Sequence, residues 1–458
     1  MLTAVRSQQR VGETDFAELR AREFARLDAE DCAYLDYTGA ALYPESLLTN
    51  HTSLLRSSVL GNPHAESPAS LASTGWMIEA RERVLRFLDA DPAEYAVCFT
   101  ANATAAIGLV GAAFRFGPRA PLVLSADNHN SVNGIREYAR RAGATVHTLP
   151  LDAELRLDRP EERLVALRRQ SRDAGLFAYP AQSNFSGVQH PLALVREAQS
   201  IGFRVLLDAA ALLPTTRMSL RATPADFVAL SFYKMFGYPT GLGALVARRD
   251  ALAELSRPWF SGGTVEYVSV QNLTHMMKGD ESAFEDGTAN FLAIAAVPAG
   301  LDWLEGLGIP ALAEHASGLA TALVHALADR HHRNGAPIAR VYGPRNSVRR
   351  RATVAFNLLD DRGGVIPYAG VEARASRARV SVRGGCFCNP GASEAAFGFP
   401  AERAARCFAS TADQRWTLTR FGECMHGHAV GAVRASFGAP SNVRDLSRLL
   451  DVVESFMM

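Results

Sequence analysis

Between about residues 95 and 250, short apolar runs closed by turn residues alternate with amphipathic stretches, and few folds accommodate that alternation. The runs AVCFT, PLVLS, GLFAYP, FRVLLD, DFVALS and GALVA end at Thr100, Ser125, Pro180, Asp208, Ser231 and Ala247. Stretches such as SVNGIREYARRAG and PLALVREAQSIG between them carry helical periodicity. Strands apolar throughout are buried on both faces, and helices between them supply the crossovers of a parallel sheet. The predicted class is α/β, a mostly parallel sheet flanked by helices, with ligands gathering beyond the carboxyl ends of the strands.

After about residue 308 the texture changes to a long helical pattern, ALAEHASGLATALVHALADRHH, followed by strand candidates RATVAFN, ARVSVRG and AVRASFG. A terminal amphipathic helix sets Leu446, Leu449, Leu450, Val453 and Phe456 on one face. The expected organisation is a helical segment over 1–30, a large α/β domain over 31–308 and a smaller α+β domain over 309–458. The amino-terminal segment fits against either domain.

Forty-eight basic residues face 47 acidic ones in 458, a net charge of +1 that argues against a nucleic-acid footprint. MLTAVRSQQRVGETDF turns polar too early for a signal peptide, and no apolar run is long enough to cross a bilayer, so a soluble cytoplasmic protein is expected. Six scattered cysteines give no disulfide framework, which predicts a reducing compartment.

Only two of the basic residues are lysines, Lys234 and Lys278. Neither follows a glycine, which excludes a Walker A loop, and GLGALV lacks the third glycine of a dinucleotide fingerprint. Lys278 stands in the polar stretch MMKGDES, whereas Lys234 ends the buried run DFVALSFYK ahead of the glycine-rich turn MFGYPTGLG. A desolvated lysine amine forms Schiff bases, which arginine does not. Asp208, 26 residues earlier, closes an apolar strand; a carboxylate there either faces a cation, such as a pyridinium nitrogen, or caps the next helix. Ala103 and Thr104 mark a strand-to-helix turn where free N–H groups favour an anion, Thr104 serving equally as a plain cap. His129, Gln182 and Asn184 follow two further strand ends.

These residues, with YLDYTGAALYP, GNPHAES, FTANATAA, DNHNSVNGIRE, QSNFSG, LLDAAALLPT, DFVALSFYKMFGYPTGLGAL, GGTV, FEDGTANF, RGGCFCNPGA and VRASFG, resemble the fold-type I pyridoxal-phosphate enzymes of the cysteine desulfurase and class V aminotransferase group. The likeness includes the desulfurase domain of molybdenum cofactor sulfurases and runs from about residue 34 to 438. It implies that Lys234 holds the cofactor covalently and moves protons, that Asp208 pairs with the pyridine nitrogen, and that His129 stacks on the ring. It further implies that Asn184 and Gln182 lie along the ring, that Ser231, Tyr233, Ala103 and Thr104 join the cofactor site, and that Gly287 and Thr288 reach the phosphate from a neighbouring subunit of a homodimer. Arg434 matches the arginine that clamps the substrate carboxylate, with Asn184 beside it. Cys388 matches the nucleophile that takes sulfur from L-cysteine or an analogue as a persulfide and hands it to an acceptor.

The chain departs from the family where its DHAG-like segment reads Asp36, Tyr37, Thr38, Gly39, where Ser393 replaces a cysteine, and where RGG replaces RTG before Cys386. The family's further carboxy-terminal domain is not expected after the 443–456 helix, so that either cofactor sulfuration is not the role of this chain or it requires a separate partner. Cys386 and Cys388 lack the spacing of half a zinc site. Cys424, His426 and His428 mimic metal ligands but read as a flexible loop that reaches Cys388 or does not; no metal is expected. The alternatives to a desulfurase are a carbon–sulfur lyase, an aminotransferase or an epimerase with the same cofactor, or a non-catalytic scaffold.

Overall fold

The computed structural model describes residues 14–171, 173, 175–345, 349–410, 418–425 and 430–457. Its main sheet has seven strands: β1 (Tyr95–Thr100), β2 (Leu122–Ser125), β3 (Val146–Leu149), β4 (Leu176–Pro180), β5 (Arg204–Asp208), β6 (Phe227–Ser231) and β7 (Gly243–Arg248). They lie in the order β1-β7-β6-β5-β4-β2-β3, and β7 alone runs antiparallel to its neighbours. Alternation explains the continuous apolar runs. Val205, Leu207, Val228 and Leu230 point into one core, while Leu206, Phe227 and Ala229 point into the other. Each core is closed by helices, among them Pro68–Phe87 and Val297–Gly306 on the first face and Ala103–Ala113 on the second.

Five of the six strand ends match the expectation, and GALVA extends by one residue to Arg248. The strand the pattern missed, β3, is the sheet edge, where only Leu149 is fully buried and VHTL shows no apolar run. Between β6 and β7 the short helix Phe232–Phe236 carries Lys234 and is ended by Gly237 at φ 79°. A Cβ at Gly237 would lie 2.3 Å from the backbone of Tyr43, so only glycine permits this turn.

The second sheet orders β8 (Ala339–Tyr342), β9 (Thr353–Leu358), β11 (Ala432–Ser436) and β10 (Arg383–Gly385), all antiparallel. The run ARVSVRG does not form one strand. Val380–Ser381 pairs in parallel with Ala33–Tyr34, and the chain then turns to give β10. The small core therefore includes Ala33 and Leu35, and the helix Ile309–Ala328 serves both cores, Leu312 in one and Ala316 onward in the other.

One expectation needs correction. Cys407 and Cys424 form a disulfide between the helices Ala401–Ser410 and Leu418–Cys424, packed on Phe421 and Met425. Scattered spacing hid a pair that the tertiary fold brings together, and Cys424 is thus not a free metal ligand. His426 and His428 lie outside the described residues.

The helix Phe16–Glu23 packs against the carboxy-terminal helix Val443–Glu454 through an ion pair. Arg20 donates to Asp445 at 2.7 Å and to the Pro440 carbonyl at 2.6 Å, both side chains being buried. Asp445 also caps its own helix with Asn442. Because an unpaired buried charge is costly, Asp445→Ala should lower unfolding stability by roughly 3 kcal/mol. Urea melts check this; a loss below about 1 kcal/mol, the worth of an exposed pair, would contradict it.

Candidate active site

The carboxyl ends of β1, β2, β4, β5 and β6 open on one cavity of about 260 Å³. Parallel strands ending at one edge leave their last side chains pointing past the sheet, which is why separate sequence segments meet there. Ala103, Thr104, His129, Gln182, Asn184, Asp208, Ser231, Tyr233 and Lys234, named from the sequence as scattered strand-end residues, all line this cavity.

Lys234 is half-buried, and removal from water pushes its ammonium below the ordinary lysine value. Asp208 and Cys388 oppose that shift, while Arg434 and Arg383 reinforce it. Asp208, level with Pro180 and Ala229 across the sheet, accepts the Ala210 N–H at 3.0 Å through one oxygen. His129 accepts the Ser131 N–H on Nδ1 at 3.1 Å, so the neutral ring carries its proton on Nε2. Burial, with help from Lys234 and Arg434, keeps this imidazole below its usual range against the pull of Asp208.

At the phosphate-sized end, the helix Ala103–Ala113 begins with its N–H groups partly used. Ala103 donates to Ser231 Oγ at 2.8 Å and Ala105 to the Asn102 side chain at 2.9 Å. Among the described residues the exposed Thr104 N–H has no recorded acceptor, and its hydroxyl meets Ser131 Oγ at 2.7 Å. A desolvated amine, a carboxylate, a neutral imidazole and a helix amino-terminus suit pyridoxal phosphate: Lys234 for the aldehyde carbon, Asp208 for the pyridine nitrogen, and Thr104 for the phosphate.

The loop carrying Cys388, which follows β10 of the small sheet, is joined to the cavity through Asn184. Cys388 is exposed and Cys386 half-buried. Phe387 and Cys388 both adopt φ 55°, a left-handed conformation that costs side-chain-bearing residues on the order of 1 kcal/mol each. Asn184, expected at the ring and the substrate, is turned to this loop: Nδ2 donates to the Phe387 carbonyl at 2.7 Å, and Oδ1 accepts from Asn389 at 3.0 Å.

Arg434, expected as a free carboxylate clamp, is already engaged. It donates to the Asn184 carbonyl at 2.8 Å and to Asp36 Oδ1 at 2.9 Å, and stacks over Phe387 at 4.7 Å. Its Nε is buried without a partner among the described residues. Arg383 stands directly across the ladder from Arg434 and donates its Nε to Asp36 Oδ2 at 2.9 Å. Asp36 thus separates two guanidinium groups that would otherwise repel.

Gly287 and Thr288 are not brought to Lys234 within the chain. The Gly287 N–H donates to the Gly262 carbonyl at 2.9 Å, and Thr288 lines a separate cavity of about 440 Å³ with Trp259 and Asp286 that meets the Lys234 cavity at Gly241. Sequence reasoning also passed over Asp127, Asn389 and Arg383, although each lies in or beside a motif already singled out.

This edge-of-sheet site, a carboxylate at the end of β5 and a lysine on the short helix that follows the adjacent β6, defines a lysine-based cofactor-binding fold. The chain belongs to the class V aminotransferase family, matched over residues 33–449. It is 36% identical over 477 residues to the molybdenum cofactor sulfurase of Oryza sativa subsp. japonica, an alignment covering 96% of this chain and 57% of that protein. The human molybdenum cofactor sulfurase is 35% identical over 96% of this chain and 51% of its own length. The chain therefore spans a little over half the length of these curated relatives. Among solved structures, the apo cysteine desulfurase of Thermococcus onnurineus NA1 superimposes with a TM-score of 0.76 at 22% identity, over 96% of this chain and 97% of that one.

The charges around Lys234 set a signed expectation. In cofactor-free protein, the pH midpoint for covalent capture of pyridoxal should lie below 10.5. Asp208→Asn removes an anion and should move that midpoint further down, whereas Arg434→Gln removes a cation and should move it up. Absorbance of the pyridoxal adduct against pH reads both; shifts of the opposite sign would contradict the assignment.

Proposed function

We propose that this chain is a pyridoxal-phosphate-dependent cysteine desulfurase that takes sulfur from L-cysteine as a persulfide on Cys388, releases alanine and passes the sulfur to an acceptor. One observation carries the reading: the exposed Cys388 is fastened through its carbonyl to the Asn130 N–H at 2.7 Å, next to His129, which lines the cavity with Lys234 and Asp208.

The overall change is L-cysteine plus the Cys388 thiol giving L-alanine plus the Cys388 hydropersulfide. The thiolate forms the new S–S bond to the substrate sulfur as the substrate C–S bond breaks, and no outside oxidant is needed. Bound pyridoxal phosphate supplies the electron sink for this chemistry. Lys234, whose ammonium is pushed below the ordinary lysine value by desolvation, removes the proton from the substrate α-carbon as the amine and later returns a proton to the product. Asp208 would be the counter-charge for the cofactor's pyridine nitrogen, and His129, with its proton on Nε2, would supply an N–H donor in the same cavity. Arg434, turned by Asp36 and Asn184, orients the substrate carboxylate, exchanging or sharing its Asp36 contact as it does so.

A homodimer completes the reading. Leu273, Val270, Tyr267 and Met276 are exposed on the hairpin formed by Val265–Ser269 and Thr274–Met277, beside Trp259 and the cavity containing Thr288. Apolar surface of this kind favours a protein partner. A second copy delivering Gly287 and Thr288 to the Lys234 cavity accounts for their distance from it within one chain.

Purified cofactor-loaded enzyme given L-cysteine should release alanine, with sulfide appearing when a reducing thiol is supplied as acceptor. Cys388→Ser should bring alanine formation down to the rate of the enzyme-free control while keeping the cofactor's visible absorbance. A carbon–sulfur lyase would retain its activity in that variant, and such a result would overturn the desulfurase assignment.

A further inference from the structure

The loop that carries Cys388 is fastened to the turn that carries His129. The turn after β2 begins at Ala126, whose N–H donates to the Leu149 carbonyl at 2.9 Å, and continues through Asp127 and Asn128 to His129 and Asn130. Three contacts join it to the cysteine loop, more than 250 residues away in sequence. The Asn130 N–H donates to the Cys388 carbonyl at 2.7 Å. Asn389 donates from Nδ2 to Asp127 Oδ1 at 2.7 Å. Gly391 packs so closely on the turn that a Cβ there would lie 2.2 Å from the Ala126 carbonyl oxygen.

Asp127 makes the one side-chain bond among these contacts. It is fully buried, and besides Asn389 it accepts from Ser183 at 2.7 Å and pairs with His190 Nε2 at 2.8 Å. Asn389 in turn uses the same amide nitrogen toward Asn184 Oδ1, while its own Oδ1 accepts the Ala392 N–H at 3.2 Å and starts the helix Pro390–Phe397. The strained backbone of Phe387 and Cys388 relaxes unless surrounding bonds over-determine it. Those bonds converge on Asp127, Asn130 and Asn184.

We propose that Asp127 is a positioning residue: through Asn389 it locks the Cys388 loop onto the His129 turn, fixing the thiol's place relative to the cofactor-facing imidazole. This rests on the reading of Cys388 as sulfur acceptor and extends it. Asp127 itself touches neither substrate nor cofactor. Its work is done through the bonds it makes to Asn389, Ser183 and His190. An asparagine at 127 keeps the Asn389 and Ser183 bonds on its Oδ1, the pair that holds the loop, while its amide nitrogen faces His190.

The test compares Asp127→Ala, Asp127→Asn and Asn389→Ala in the cofactor-loaded full chain. Asp127→Ala should keep the cofactor's visible absorbance yet lose turnover on the order of a hundredfold in kcat, as expected when a reacting group is misplaced by about 1 Å. KM for cysteine should change by less than about threefold, because the carboxylate-facing Arg434 is untouched. Alkylation of Cys388 by iodoacetamide, followed on its peptide by mass spectrometry, should become faster as the loop loosens. Asp127→Asn should restore both readouts toward wild type, and Asp127→Ala combined with Asn389→Ala should be no worse than either alone.

Unchanged Cys388 alkylation in Asp127→Ala, failure of Asp127→Asn to rescue, or additive effects in the double variant would overturn the proposal. If Asp127→Ala does not fold, Asn389→Ala carries the same kcat, KM and alkylation readouts. Alanine formation that survives Cys388→Ser would instead refute the desulfurase reading, while the alkylation data would still report whether Asp127 holds the loop.

Discussion

A lysine ammonium removed from water and repelled by two guanidinium groups is the constraint on which the rest of the site depends. Burial, Arg434 and Arg383 all drive Lys234 toward the neutral amine, and Asp208 and Cys388 restrain that drive. Neutral amine is the form that makes covalent bonds to aldehydes. Crowding three cations at one place requires counter-charge, and Asp36 supplies it with one oxygen to each arginine. Asp36 reaches them because its segment pairs in parallel with Ser436 at the end of β11. The amino-terminal segment thus belongs to the chemistry as well as to the small core, which it enters through Ala33 and Leu35.

The same economy of placement links the two sheets. The parallel sheet supplies the groups that suit a cofactor, at the ends of β1, β2, β4, β5 and β6, and the antiparallel sheet supplies Arg434 and the loop after β10 that carries Cys388. Asn184 lies at the seam. Its carbonyl holds Arg434 and its side-chain amide holds Phe387 and Asn389, so one residue touches both the loop and the arginine, while Asp36 fixes Arg434 independently of the loop. Phe387, next to Cys388 in the chain, lies under the Arg434 guanidinium and packs at a tilt on Phe185.

How much of this was legible in the sequence follows from which forces act locally. Strands buried on both faces announce themselves as apolar runs, so the ends at Ser125, Pro180, Asp208 and Ser231, with the residues just past them, could be named in advance. Exposed edge strands do not: Val146–Leu149 and Ala339–Tyr342 are half-exposed and mixed in composition, whereas Tyr95–Thr100, an edge strand that is buried, reads as an apolar run. Lys234 stood out because lysine is scarce here, and Cys388 through its resemblance. Asp127 and Asn389 were quoted within motifs but not as partners, since nothing local tells a buried carboxylate that its donor arrives 262 residues later. The engagement of Arg434 by Asp36, the turning of Asn184 to the loop and the Cys407–Cys424 disulfide were hidden for the same reason.

The central claim is that sulfur leaves cysteine onto Cys388, and the mass of the protein tests it most directly. Cofactor-loaded enzyme incubated with L-cysteine in the absence of any acceptor thiol, then alkylated and digested, should show the peptide containing Cys388 heavier by one sulfur atom, in proportion to the first equivalent of alanine formed. Alanine released while that peptide keeps its original mass, or the added sulfur found on Cys386 with Cys388 unmodified, would contradict the account.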